Sequence, residues 1–133
     1  MDHHRIRLAT LSRDGHLALR RVERQQALIE RLHAGRGERI ALAQLARDFG
    51  VSVRTIARDV ERLRLSGVPL DVRRGRGGGV SLGPSPEEIV IGLDLPEAAA
   101  LMSSLATLGP SVTESAASAM RKLVAAVGGA VCH

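Results

Sequence analysis

Aromatic residues are almost missing from this sequence: Phe49 is the only one in 133 residues, and Trp and Tyr do not occur. Any core must therefore be built from Leu, Val, Ile and Ala, which the 44% hydrophobic content supplies. The same absence argues against modules that recognise RNA by stacking bases on exposed rings. Cysteine is just as scarce. Cys132 stands alone, which excludes an intrachain disulfide framework. With its neighbour His133 it makes a poor metal site, because structural zinc takes four protein ligands. His3, His4 and His16 lack metal-ligand spacing to any partner and are expected in solvent. No apolar run approaches the ~20 residues that a membrane helix needs. The start, Met1–Arg5, leads into no apolar h-region, so no signal peptide is read there. The expected setting is cytoplasmic, with no membrane association. No Ser/His/Asp, Cys/His or paired-carboxylate pattern stands out, so the chain is not expected to be an enzyme, and no cofactor or metal is expected.

Lysine is also rare. Lys122 is the only one, and the other 18 cationic residues are Arg. Arginine grips phosphate or guanine with a planar fork that lysine lacks. The charge is segregated: residues 1–83 hold 17 Arg against nine acidic residues, a net +8, while residues 84–133 carry a net −3. A basic front joined to a mildly acidic back suggests a polyanion-binding part attached to something else.

The stretch Phe49–Leu63 reads as a tight turn at Gly50 followed by an amphipathic helix. Val53, Ile56, Val60 and Leu63 recur at helical spacing and are expected to share the buried face. Ser52 is a suitable N-cap, and Gly67 a suitable stop near Ser66. Arg54, Thr55, Arg58 and Arg62 fall on the other side. Upstream, Leu19–Ala34 reads as a helix with Val22, Leu28, Ile29 and Leu32 inward, Arg20, Arg21, Arg24 and Glu30 outward, and Gly35 as its cap. Leu42–Asp48 reads as a second, poorly capped helix with Leu42, Leu45, Ala46 and Phe49 inward. Residues 1–18 give weak signals and are expected to be a mostly flexible leader.

After Gly67, Leu70–Arg73 alternates as a strand, and Val80–Leu82 is its expected partner. Arg39–Ala41 is long enough only for a bridge. The loop Arg74–Gly79 holds Arg74 and Arg76 among glycines, and a mobile tip is expected there. A hairpin placed directly after a third helix is the wing of a winged helix. A nucleotide-cradling glycine loop is rejected, because no G-K-[ST] occurs and no helix follows the glycines. Beyond Pro84–Pro86, Ile89–Ile91 reads as a short strand or helical turn. Pro96–Leu108 reads as a helix broken at Gly109 and Pro110. Ser111 is then the expected cap of a last helix, with Val112, Ala116, Ala119, Met120, Leu123 and Val127 on one stripe.

The expected fold is thus mainly α with a small β-hairpin: a winged helix-turn-helix over 19–83, followed by a helical hairpin over 84–133. In such a frame the apolar face anchors the third helix while its exposed side enters the major groove of DNA. Arg54 and Arg58 suit base edges. Ser52, Thr55, Arg62, Arg73, Arg74 and Arg76 suit phosphate or further groove contacts. Asp59 reads as half of a surface ion pair with Arg58, or as a carboxylate that orients an arginine for DNA. Leu101, Leu105, Leu108, Val112, Met120, Leu123 and Val127 are the candidate dimerisation residues.

Three stretches, Arg21–Leu32 (RVERQQALIERL), Phe49–Leu63 (FGVSVRTIARDVERL) and Gly75–Leu82 (GRGGGVSL), together with Leu45–Ala46 and Gly67–Leu70, carry a family resemblance. Residues 20–83 resemble the N-terminal winged helix of DeoR-like and WYL-domain bacterial transcriptional regulators. The resemblance implies a dimeric DNA-binding regulator, with Arg54, Thr55 and Arg58 in DNA contact and Asp59 as the acidic partner that follows. Residues 85–127 resemble only the helical connector that precedes the sensor domain of such regulators. The overall expectation is a sequence-specific transcriptional regulator, a repressor rather than an activator. It would act as a homodimer on a palindromic operator in double-stranded DNA, with any small-molecule effector unknown. Two other readings stand beside it: a non-catalytic partner of a larger regulator, or a small-ligand sensor lined by Met102, Leu105 and Met120.

Overall fold

The computed structural model describes residues 2–109 and 113–129. The chain divides into two compact units, Met1–Ser85 and Pro86–His133. In the first, α1 (Asp2–Ala34) is followed by α2 (Leu42–Phe49), α3 (Val53–Leu65) and an antiparallel hairpin of β1 (Leu70–Arg73) and β2 (Gly79–Leu82). The second holds α4 (Leu95–Leu108) and α5 (Glu114–Gly129), which pack on each other. Among the described residues, five helices and one two-stranded hairpin make a mainly α fold with a small β element, consistent with a winged helix.

α1 begins much earlier than the expected helix over 19–34. The backbone from Asp2 through the expected leader is helical and continues without a break to Ala34. The segment is rich in Arg, Leu and Ala, which are strong helix formers, and it has no Pro. Its one Gly, Gly15, costs only about 1 kcal/mol. α1 ends at Ala34 as expected, but the left-handed residues that follow are Arg36 (φ 50°) and Gly37 (φ 88°), not Gly35. The Arg36 N–H donates to the His33 carbonyl at 3.1 Å, and Gly35 stays within the turn.

The other two helix ends of this unit follow the glycines. Gly50 is left-handed (φ 64°) and donates to the Arg47 carbonyl, while the Val51 N–H reaches back to Ala46 at 3.0 Å. Gly67 (φ 99°) repeats the arrangement on α3, with Val68 donating to Leu63 at 3.1 Å. Both are Schellman ends, in which two orphan carbonyls are satisfied and the residue after the glycine packs back on the helix. Val51 and Val68 accordingly lie against the core. The N-termini differ in quality. Ser52 caps α3 by accepting the Thr55 N–H at 3.1 Å, whereas Ala41 stands at the N-cap of α2 with no side-chain bond.

One core joins all elements of this unit: Leu28 and Leu32 of α1, Ile40 just before α2, Leu45 and Ala46 of α2, Ile56, Val60 and Leu63 of α3, and Leu70 and Val80 of the hairpin. Phe49, the lone aromatic, is only partly buried against it. Ile40 and Val80 exchange two backbone hydrogen bonds at 2.9 Å, so the segment before α2 adds a bridge to the hairpin. Gly79 makes this possible. It adopts φ 141°, and a Cβ there would fall 2.3 Å from the Ile40 carbonyl oxygen.

In the second unit, Ile89–Ile91 forms neither strand nor helix, and all three side chains are exposed. α4 opens with a capping box: Asp94 accepts the Glu97 N–H at 2.9 Å and the Glu97 carboxylate accepts the Asp94 N–H at 2.9 Å. Pro96 sits in the first turn, where its missing N–H costs nothing. Ser111, the expected cap of the last helix, lies outside the described residues, as do Val112 and Cys132–His133. Thr113 does the capping instead, its Oγ1 accepting the Ala116 N–H at 3.0 Å. Of the candidate dimerisation residues, Leu101 is exposed, and Leu105, Leu108, Met120, Leu123 and Val127 are half-buried.

Candidate nucleic-acid interface

α3 is held from behind by a charged anchor. Asp59 is fully buried, yet it faces α1 rather than its neighbour Arg58. The Arg24 guanidinium donates to both carboxylate oxygens, Nε to Oδ2 at 2.5 Å and Nη2 to Oδ1 at 3.1 Å, and Gln25 Nε2 adds a third bond at 3.2 Å. This corrects two expectations, that Arg24 points to solvent and that Asp59 serves Arg58. The residues lie 35 positions apart, so no local spacing could reveal the pair. The bond from Asp59 pushes the Arg24 pKa up against the opposing effect of burial, so the guanidinium keeps its charge. A two-point pair of this kind fixes the angle as well as the distance between its helices.

With Asp59 turned inward, the outer face of α3 keeps a single carboxylate, Glu61, which pairs with Arg64. Arg54, Arg58 and Arg62 are exposed and follow one another at i, i+4 and i+8, a row spanning about 12 Å at 1.5 Å per residue. Arg58 is thereby released from the ion pair that adjacency suggested. Ser52 is exposed at the helix start, and Thr55 is half-buried, its Oγ1 lying 3.0 Å from the Ser52 hydroxyl. Val53 departs from expectation: it is 47% exposed and does not join Ile56, Val60 and Leu63 in the core. It stands in the first turn of α3, at the margin of the apolar face.

β1 of the wing packs against α3. Glu61 of α3 has its pKa lowered chiefly by the hydrogen bond from Arg64, with smaller contributions from the charges of Arg64 and of Arg74 in the wing loop. Arg74 and Arg76 are exposed in that loop, and Arg73 at the end of β1 is exposed with a loose contact of 3.7 Å to Asp71. A residue that sequence reasoning missed holds the wing base. Arg39, just before the Ile40 bridge, donates to the Asp71 and Gly79 carbonyls at 3.1 and 3.2 Å and to Asp71 Oδ2 at 2.5 Å. That bond holds the Asp71 carboxyl below its ordinary range. The only sequence signal for it was the proximity of Arg39 to the short bridging segment.

The expected DNA-facing residues of α3 and of the wing are therefore all carried by the first unit, on or beside α3 and the hairpin. Residues 24–80 match a family model described as an HTH domain, and this segment runs from Arg24 to Val80. The α2–turn–α3 element is a helix-turn-helix. Over 45 residues the chain is 42% identical to the uncharacterized HTH-type transcriptional regulator YobV of Bacillus subtilis. The match covers 34% of this chain and 14% of that protein. No solved structure matches the chain. Fold and family match together place a helix-turn-helix domain in the first unit. Among the described residues, no helix is long and apolar enough to cross a membrane, and no cluster of potential metal ligands occurs.

Proposed function

We propose that this helix-turn-helix unit binds double-stranded DNA sequence-specifically, with α3 in the major groove and the wing arginines against the backbone or minor groove. Arg54 and Arg58 read base edges, since a guanidinium bonds guanine O6 and N7 at two points. Arg62, Arg73, Arg74 and Arg76 contact phosphates, with Ser52 and Thr55 at the helix start. The observation that carries this reading is the exposed arginine row on a helix whose only core-facing carboxylate is consumed by Arg24.

Two copies pair through α4 and α5, using Leu101, Leu105, Leu108, Val112, Met120, Leu123 and Val127, and present two heads to a palindromic operator with half-sites about one helical turn apart. The protein is a cytoplasmic, non-enzymatic repressor of the DeoR-like, WYL-related kind, acting by occluding its operator. The testing experiment is selection of bound sequences from a random DNA pool, followed by gel shifts at graded salt. A two-fold symmetric site, bound less tightly as salt rises, is the expected result. Folded protein that retains no sequence at low salt would overturn the proposal.

A further inference from the structure

Val53 belongs by sequence to the buried face of α3 but is 47% exposed, and Ala57, one turn further on, is exposed as well. Val53 and Ala57 are neighbours at i, i+4, on a flank about 100° around the helix from Arg54 and Arg58, so a short aliphatic strip runs along the edge between the basic row and the core. The strip begins in the first turn of α3, the part of a recognition helix that comes closest to base edges. A branched aliphatic side chain offers no hydrogen bond to DNA. The base feature it complements in the major groove is the C5-methyl group of thymine.

We infer that Val53, supported by Ala57, reads a thymine methyl next to the guanines read by Arg54 and Arg58. This rests on the proposal that α3 enters the major groove, and it adds a specificity-determining residue that charge alone does not identify. The half-site is then expected to place a thymine within a base pair or two of an arginine-read guanine. Ser52 caps the helix upstream of Val53 through its own hydroxyl, which accepts the Thr55 N–H.

The test uses the full chain and the duplex that it selects from a random pool. Each thymine of the half-site is replaced in turn by deoxyuridine, which removes only the methyl group. For the wild-type protein, one or two such replacements should weaken binding about fourfold, the equivalent of one buried methyl-sized group. Val53→Ser should bind the thymine site about as weakly as wild type binds the uracil site, and should not distinguish the two. Circular dichroism of the variant checks that it remains folded, as expected for an exposed position. Equal wild-type affinity for thymine and deoxyuridine at every position would overturn the inference while leaving DNA binding intact. An undiminished thymine preference in Val53→Ser would overturn it in the same way. Failure of the wild-type protein to select any sequence would remove both the inference and the reading beneath it.

Discussion

Arg24 of α1 and Asp59 of α3 form a two-point ion pair around a carboxylate that solvent does not reach. It ties the helix that carries the exposed arginines to the longest helix of the molecule. A buried charge of this kind stabilises little relative to a well-packed apolar pair, but breaking it by removing one partner costs several kcal/mol. Its contribution here is to orientation: α3 cannot roll on α1 without stranding a charge.

The pair predicts an asymmetric mutant series. Arg24→Ala should destabilise the fold by about 3–5 kcal/mol, because Asp59 is left buried without a cationic partner. Asp59→Leu combined with Arg24→Met should recover most of that loss. Arg58→Ala, next in sequence to Asp59, should change stability by less than about 0.5 kcal/mol. Urea unfolding of the four proteins checks the series.

Gly79 offers a second test. Gly79→Ala would drive a methyl group into the Ile40 carbonyl at a left-handed backbone position. The expected loss exceeds about 1 kcal/mol, because the native conformation is incompatible with a side chain. Loss of the Ile40–Val80 bridge should appear as faster amide exchange at those two residues. Gly37→Ala meets no neighbouring atom and pays only the backbone strain.

The two N-caps predict opposite changes. Ser52→Ala should destabilise by about 1 kcal/mol through loss of the bond to Thr55. Ala41 has the extended conformation of an N-cap and no capping bond, so Ala41→Ser should stabilise by about 0.5–1 kcal/mol. Thermal melts of both variants measure this directly.

Asp71 gives a pH dependence. Its pKa is lowered from 3.8 by the hydrogen bond from Arg39. A depressed carboxyl contributes stability that is present above its unfolded value and lost as pH falls through the folded one. The wing base should therefore loosen in acid, below about pH 4, and stay unchanged near neutrality. A carboxyl titration followed by NMR should find Asp71 below the ordinary aspartate range, and Arg39→Gln should return it there.

The arginines should separate by role in DNA binding. Arg58→Ala should cost about 1–3 kcal/mol on the selected site and relax the preference at one base pair. Arg76→Ala should instead weaken binding evenly across sequences and flatten the salt dependence by about one charge. Competition gel shifts with point-mutated sites distinguish the two patterns.

Much of the fold was legible because it rests on short-range rules. Gly50 and Gly67 end helices since only glycine enters the left-handed region freely, and Ser52 and Asp94 begin them by accepting nearby N–H groups. The pairing of Leu70–Arg73 with Val80–Leu82 followed from alternation around a glycine-rich loop. At Asp59 the deciding neighbour is distant in sequence. Periodicity put Val53 in the core, but nothing packs over the first turn of α3 at its position. Adjacency joined Asp59 to Arg58, although side chains one residue apart on a helix diverge by about 100°. Gly35 looked like the cap of α1, yet the left-handed residues are Arg36 and Gly37. The weak pattern of residues 1–18 concealed a helix, because periodicity detects a buried face and says little about a segment that helix propensity alone sustains.

The sequence by itself determined the order of elements, the helix stops and the segregation of 17 arginines ahead of Pro84. These depend on local backbone preference and composition. Only the tertiary structure decided which charges are occupied and which remain available. Arg24 is turned inward to Asp59, and Arg39 is engaged by Asp71 at the wing base, by contacts more than 30 residues away. Arg54, Arg58 and Arg62 stay available because, of the two carboxylates in their midst, Asp59 is buried against α1 and Glu61 pairs with Arg64. An ion pair is set by where two side chains meet in space, and that meeting is a property of the packed core rather than of either segment.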